Sequence, residues 1–473
     1  MHYEVPRGTK SITRQILPSN IEDITSITIP EGVTTIEDKA FCFFEKLEKI
    51  NLPTTINTIG KKAFLGCLNL KSINIPEGVS VIEESTFESC LSLSDINIPR
   101  SITEIKDSAF EECGIESITI PEGITKIGTA AFFKCIHLDS VVIPNSVTEI
   151  GERVFGYCPC LETVRISENI TKISDCMFSN CVNLKSIDIP KQIVEIGIYA
   201  FDWCINLKSV EIPDGVIEIG AGAFRYCKNL KKITISDTVT KIGICTFSYC
   251  EELKSIIFSK NITKIGTGTF YKCTSLKSIE IPNGVIEIGD SAFEECWYLN
   301  SITIPEGVIK IGNRAFKDCC SLKSIVIPNT VTEIGESAFE YCDRICSISL
   351  SDKIDKIESF MFSGCCSLKS ITIPNNVKAI CSMAFAFTKL NSIELPDGIT
   401  KIGDFAFAHC KNLKSIVISK GIMEIGDRAF TECNKLKHFS IPDNIKLGID
   451  IFGNMDDLDF KIQRTIKTEL GKI

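Results

Sequence analysis

The chain has no run approaching the ~18 consecutive apolar residues that a membrane-spanning helix needs. The N-terminal stretch MHYEVPRGTKSITRQILPSN likewise lacks the apolar core of a secretory signal. On these grounds a cytoplasmic location is expected and membrane insertion is not. Charge of one sign is never concentrated. The net charge of −9 is spread over 473 residues, so no nucleic-acid-binding arm or acidic tail is indicated. Histidine is scarce, with His2, His137, His409 and His438, and none sits near a repeated Ser or Asp as a triad would require. The glycines form neither a P-loop nor a dinucleotide fingerprint. No catalytic residue, metal site or cofactor is therefore expected. Two Asn-Ile-Thr sequons, at Asn169 and Asn261, matter only in a secreted chain.

What is abundant is repetition. Eighteen phenylalanines, from Phe41 and Phe64 through Phe407 and Phe430, recur every 23 residues, with two steps of 22 at Phe110–Phe132 and Phe385–Phe407. Phe452 is a degenerate nineteenth. A fixed period of this length signals a solenoid or array and overrides the estimate of about three domains that length alone would give. One repeat reads L-x-x-I-x-I-P-x-x-V-x-x-I-G-x-x-A-F-x-x-C-x-x. The stretch LKSINI at 70–75 alternates apolar and polar residues, which predicts a short half-buried strand. Pro76 ends it, because proline cannot donate to a ladder. Serine takes the same place at Ser167, Ser236, Ser259, Ser351 and Ser419, so the position is a terminator and not a chemical group.

A second, shorter strand is predicted around Thr148–Ile150. The residue before its isoleucine mostly alternates in sign from repeat to repeat, with ten neighbouring pairs opposite and two alike: Glu104, Lys126, Glu149, Lys172 and Glu195 lead the series. Parallel stacking at about 5 Å makes opposite neighbours favourable and like neighbours costly. The last piece, such as SAFEEC at 291–296, places a small residue, Phe and Cys at helical spacing and is read as one helical turn. No repeat could bury its own Leu, Ile, Val and Phe; stacking would bury them together.

This pattern resembles the treponemal, or BspA-like, class of leucine-rich repeat. LKSIEIPNGVIEIGDSAFEEC at 276–296 and LKSIVIPNTVTEIGESAFEYC at 322–342 carry the resemblance, which extends over 24–445. It implies an α/β solenoid: a right-handed leucine-rich-repeat horseshoe of short β-strands, with a parallel sheet on its concave face. It also implies surface association, adhesion and protein binding, and no catalytic motif. The expected organisation is an N-terminal cap (1–23), the solenoid (24–445) and a C-terminal cap (446–473). Pro18-x-x-Ile21-x-x-Ile24 mimics the second half of a repeat, LDFKI at 458–462 a last strand, and QRTIKTELGKI a capping helix.

Sixteen of the 24 cysteines lie three residues after the phenylalanine of the repeat. A nucleophile is needed once, and a zinc site needs converging ligands, so a linear series fits neither. Stacked side chains point the same way, whereas a disulfide needs a torsion near 90°. Buried packing is the expected role. The other eight, Cys42, Cys160, Cys176, Cys245, Cys320, Cys346, Cys366 and Cys381, share no geometry. Thiols without a disulfide framework favour a reducing compartment.

The outward positions of the LKSIxI strands are the candidate binding surface. The first is a serine row from Ser186 to Ser415, and the second varies. From the variable position we single out Asn74, Val142, Arg165, Asp188, Glu211, Ile257, Glu280 and Val326. A lysine row, Lys185, Lys208, Lys231, Lys254 and Lys277, runs beside the serines. Exposed Val and Ile favour a protein partner; the lysines would meet an acidic one. The expected function is a non-enzymatic scaffold docking a protein, with a glycan as a further option. The alternative is a structural or self-associating spacer or coat protein.

Overall fold

The computed structural model describes residues 1–18, 21–437, 439 and 445–453. The chain forms two compact units, Met1–Val239 and Thr240–Ile473. In each, successive coils stack in sequence order. In the first unit, His2–Glu4, Ser26–Thr28, Lys49–Asn51, Ser72–Asn74 and Asp95–Asn97 form one parallel sheet. Ser117–Thr119, Ser140–Val142 and Thr163–Arg165 form the next. The register advances by one repeat, so beyond the Tyr3–Ile27 pair Ile or Val sits on Ile or Val and the polar positions align in rows. The strands follow from period-2 patterning: Ile73 and Ile75 are buried while Ser72 and Asn74 are exposed. Two expected strands are missing, one in each unit. Ser186–Asp188 and Ser370–Thr372 form no ladder.

The second strands are also present, each two residues long. Glu104–Ile105 pairs with Lys126–Ile127, which pairs with Glu149–Ile150. The alternating charges meet: Lys172 lies 2.8 Å from Glu195, Lys264 2.8 Å from Glu287 and Lys310 3.3 Å from Glu333. These pairs are largely exposed, so each contributes modestly, about 0–1 kcal/mol. Their regularity acts mainly on register. The glycine that follows permits a close approach of coils. A Cβ on Gly312 would lie 2.4 Å from Asp290 Oδ1 and 2.5 Å from its backbone nitrogen.

The predicted helical turn is absent among the described residues. In the segment around Phe41, Lys39 and Phe43 have φ of 58° and 60°, in the left-handed region. The backbone N–H groups of Lys39, Phe41 and Phe43 donate to the next coil, to Lys61 O, Ala63 O and Leu65 O at 2.9, 2.8 and 2.7 Å. Between them, Ala40, Cys42 and Phe44 donate back three residues, at 3.2 Å each. The segment is thus a run of tight turns whose alternate amides stitch one coil to the next. The same geometry recurs in later coils, as at Ser291 (φ 52°) and Glu295 (φ 60°). An α-helix would direct its amides along its own axis and leave the neighbouring coil unpaired. Left-handed residues cost about 1–2 kcal/mol each, and these inter-coil bonds offset that cost.

The phenylalanines stack behind this ladder. Phe64, Phe87 and Phe110 have centroids 5.4 Å apart and planes within 6°, and all three are fully buried. Phe452 continues the series, 5.8 Å from Phe430. Offset stacking at this spacing is favourable for aromatic rings. All 24 cysteines are unbridged. The column cysteines are buried and do more than fill space. Cys67 Sγ donates to Phe41 O, Cys90 Sγ to Phe64 O and Cys296 Sγ to Phe270 O, each at 3.2 Å. Each of these thiols reaches one coil back to a backbone carbonyl facing the core. Serine at the proline position works similarly: Ser167 Oγ donates to Val147 O at 2.8 Å and accepts from Asn169 N–H.

At the N-terminus, the second-strand place of the first coil is taken by Ser11–Ile12, paired to Thr35–Ile36. The expected Pro18–Ile24 mimic instead contains a 3₁₀ turn, Ile21–Asp23. The ladder with Thr35–Ile36 fixes the earlier segment in that place. Near the other end, Lys446–Leu447 pairs with Glu424–Ile425. LDFKI, QRTIKTELGKI, His438 and Ser440 lie outside the described residues.

Candidate functional site

The strand residues predicted to face outward do so. Asn74, Val142, Arg165, Asp188, Glu211, Ile257, Glu280 and Val326 are all exposed. Alternation dictates this, since each flanks a buried Ile or Val. Val142, Ile257, Val326 and Val417 are the large apolar members, at 52, 54, 67 and 58% exposure.

Within the first unit three of the predicted residues come together, two of them through the ladder. Val142 is in register with Arg165, and both line a depression of about 630 Å³ with Arg100 and Glu122. A second depression, of about 620 Å³, holds Arg165, Asp188, Glu168 and Lys191. Arg165 is common to both. Asp188 reaches this place although its segment forms no ladder. Asn74 lies opposite Asn97 and Glu211 opposite Thr234, and neither lines these depressions. In the second unit Glu280 faces Thr303 and Val326 faces Ser349. The residues missed from sequence are Arg100, Glu122, Glu168 and Lys191. They sit in the turns after the strands, where no periodic signal exists; only their place beside the proline or serine terminator could have found them.

The lysine row is exposed throughout. Lys185 is held by Glu162 at 2.7 Å. Among the described residues, Lys208, Lys231, Lys254 and Lys277 have no carboxylate within ion-pair distance.

No group of His, Cys, Asp and Glu among the described residues could hold a metal ion. An activated nucleophile needs a lowered pKa and access, and the buried Cys135 and Cys181 have neither. Burial pushes Cys135 and Cys181 up to about 12. No helix among the described residues is long and apolar enough to cross a membrane.

The family model described as BspA type leucine-rich repeat region (6 copies) matches residues 10–139, 125–251, 217–346 and 332–459. Among solved structures, a leucine-rich repeat protein from Bacteroides ovatus is similar at 26% identity and TM-score 0.56, covering 90% of this chain and 92% of that one. A leucine rich cell surface protein from Faecalibacterium prausnitzii shares 29% identity at TM-score 0.42, over 70% of this chain and 86% of that one. No curated protein matches the sequence. With the family model spanning nearly the whole stack of coils, the chain belongs to the BspA type leucine-rich repeat family.

Proposed function

We propose that this chain is a non-enzymatic binding scaffold whose protein partner docks on the exposed face of the three-residue strands, centred in the first unit on Val142, Arg165 and Asp188. The observation that carries the reading is an apolar side chain and a guanidinium, in register and in adjoining depressions, set in a frame of buried Ile and exposed Ser. Interfaces take most of their energy from a few such anchors, with Arg enriched among them. The polar groups around them, Glu122, Glu168 and Lys191, supply a rim. The lysines without a carboxylate favour a partner with acidic groups along the sheet.

The test compares the wild-type chain with Val142→Glu and Arg165→Glu as baits. Because both positions are exposed, the variants keep the wild-type unfolding midpoint. A partner retained by the wild type and lost from both variants is the expected outcome. Concentration-dependent self-association in light scattering, unchanged by either substitution, would favour the spacer reading instead.

A further inference from the structure

A cleft of about 760 Å³ opens on the turn ladder of the first unit, away from the strand residues just described. It has a sequence cause. The residue after the column phenylalanine is Phe133, Gly156, Ser179, Asp202 and Arg225 in five successive coils. Two small residues between bulkier ones leave a notch. Gly156 and Ser179 are its buried floor. A Cβ on Gly156 would come within 3.1 Å of the Phe133 ring and 3.3 Å of Cys176 O.

The walls are aromatic and rigid. Phe133 and Tyr157 meet edge to face at 5.4 Å on one side. On the other side Trp203 stacks on Tyr226 at 4.2 Å, and the Arg225 guanidinium lies 4.7 Å over Tyr199. Arg225 is locked by a bidentate pair with Asp202, at 2.9 and 3.0 Å, and the Asp202 side chain is only 7% exposed. These contacts order the rings before any ligand arrives.

The charges balance except at one group. Lys134 is paired with Glu112 at 2.7 Å and Arg225 with Asp202. Arg153 has no carboxylate within ion-pair distance among the described residues. Its guanidinium stands beside the Cys176 thiol, where it opposes the upward pull of burial on that group. The lining is thus aromatic, with hydroxyl and amide groups and one uncompensated guanidinium. A quaternary ammonium, the usual guest of an aromatic cage, would meet that charge unfavourably.

The main chain around the cleft is already paired. Arg153, Tyr157, Cys176, Asn180 and Tyr199 all donate their backbone N–H groups to the next coil. A peptide could not add here as a strand. A ligand must instead lay an apolar face on the rings and take polar contacts from side chains. A pyranose has such a face and a rim of hydroxyls, and a carboxylate on it suits the fork of Arg153.

We infer that the cleft walled by Tyr157 and Trp203 is a binding site for an acidic saccharide, with the sugar packed on the rings and its carboxylate on Arg153. The site is separate from the proposed protein-docking face.

The experiment is calorimetric titration of the full chain with trigalacturonic acid and with its neutral trimethyl ester. The acid is expected to bind, and the ester at least about tenfold more weakly. Tyr157→Ser and Trp203→Ser should each weaken the acid about tenfold or more. Arg153→Gln should remove the difference between acid and ester. Val142→Glu should change neither, so failure of the docking face and failure of the cleft are read apart. Circular dichroism melting of each variant controls for folding. No binding of the acid by the wild type would overturn the inference. So would binding that survives Tyr157→Ser and Trp203→Ser, or equal binding of triglutamate, which would assign the cleft to a peptide.

Discussion

Each coil has a strand side and a turn side, and the two bury their halves of the core by different means. On the strand side the backbone is extended, Ile73 and Ile75 point in, and Asn74 points out with nothing demanded of it. On the turn side the backbone crosses into the left-handed region twice per coil, and its amides alternate between the neighbouring coil and their own. Phe and Cys are held there by a backbone with no slack: the ring stacks on its equivalents, and the thiol donates one coil back. The strand side can vary at its outward position without consequence for the fold. The turn side carries the geometric specification of the stack.

The sharpest test of that asymmetry is a pair of truncations in the second unit. Phe293→Ala removes a fully buried ring stacked at 5.3 Å on Phe270 and 5.4 Å on Phe316. It should cost about 3–5 kcal/mol. Val326→Ser, on the exposed strand position, should stay within about 0.5 kcal/mol. Denaturant midpoints of the two variants check this. Comparable midpoints would dissolve the distinction.

A second test uses alkali. Cys135 and Cys181 are protonated thiols raised by burial from 9.0 to about 12. A raised folded pKa means that the folded state holds the proton longer. The stabilisation is fully present below pH 9 and is lost as pH rises toward 12. Each such thiol makes stability fall by up to about 1.4 kcal/mol per pH unit in that window. Cys135→Ala should flatten the dependence of the unfolding midpoint between pH 9 and 11. A slope equal to that of the wild type would remove the column thiols from the account.

The smallest effect is a difference of sign. Ser291 has φ of 52°, so Ser291→Gly relieves a left-handed side chain and should stabilise by a few tenths to about 1 kcal/mol. Ser278, in the strand Ser278–Glu280, sits in extended backbone. There Ser278→Gly should destabilise by about 0.5–1 kcal/mol. Thermal melts of the two variants moving in the same direction would contradict the two-sided description.

The strands and their outward residues were readable because an extended chain has a side-chain period of two, and Leu-x-x-Ile-x-Ile displays it. The charge series from Glu104 to Glu195 likewise announced parallel stacking, since only cross-coil neighbours make alternation matter. The turn side misled for a physical reason. Ala, Phe and Cys at spacings of one and three fit a helical turn, and a tight turn bonding back three residues brings the same positions together. Side-chain spacing cannot distinguish them, because the difference lies in the sign of φ at residues such as Lys39 and Glu295, which tolerate either basin and carry no marker.

The candidate sites divide along the same line. Val142 and Arg165 were legible as variable outward positions. Their joint depression with Arg100 required the turn geometry that brings Arg100 beside them. The aromatic cleft was written in the sequence as Gly156 and Ser179 between Phe133 and Asp202, but the significance of that column depends on its facing outward along the ladder. The sequence by itself determined the period, the core residues and the parallel stack, because burial and strand pairing act on every repeat alike. Only the tertiary structure decided how the Phe–Cys segment is built, where its thiols donate and where a notch opens. Those depend on hydrogen bonds to the next coil, which no single repeat contains.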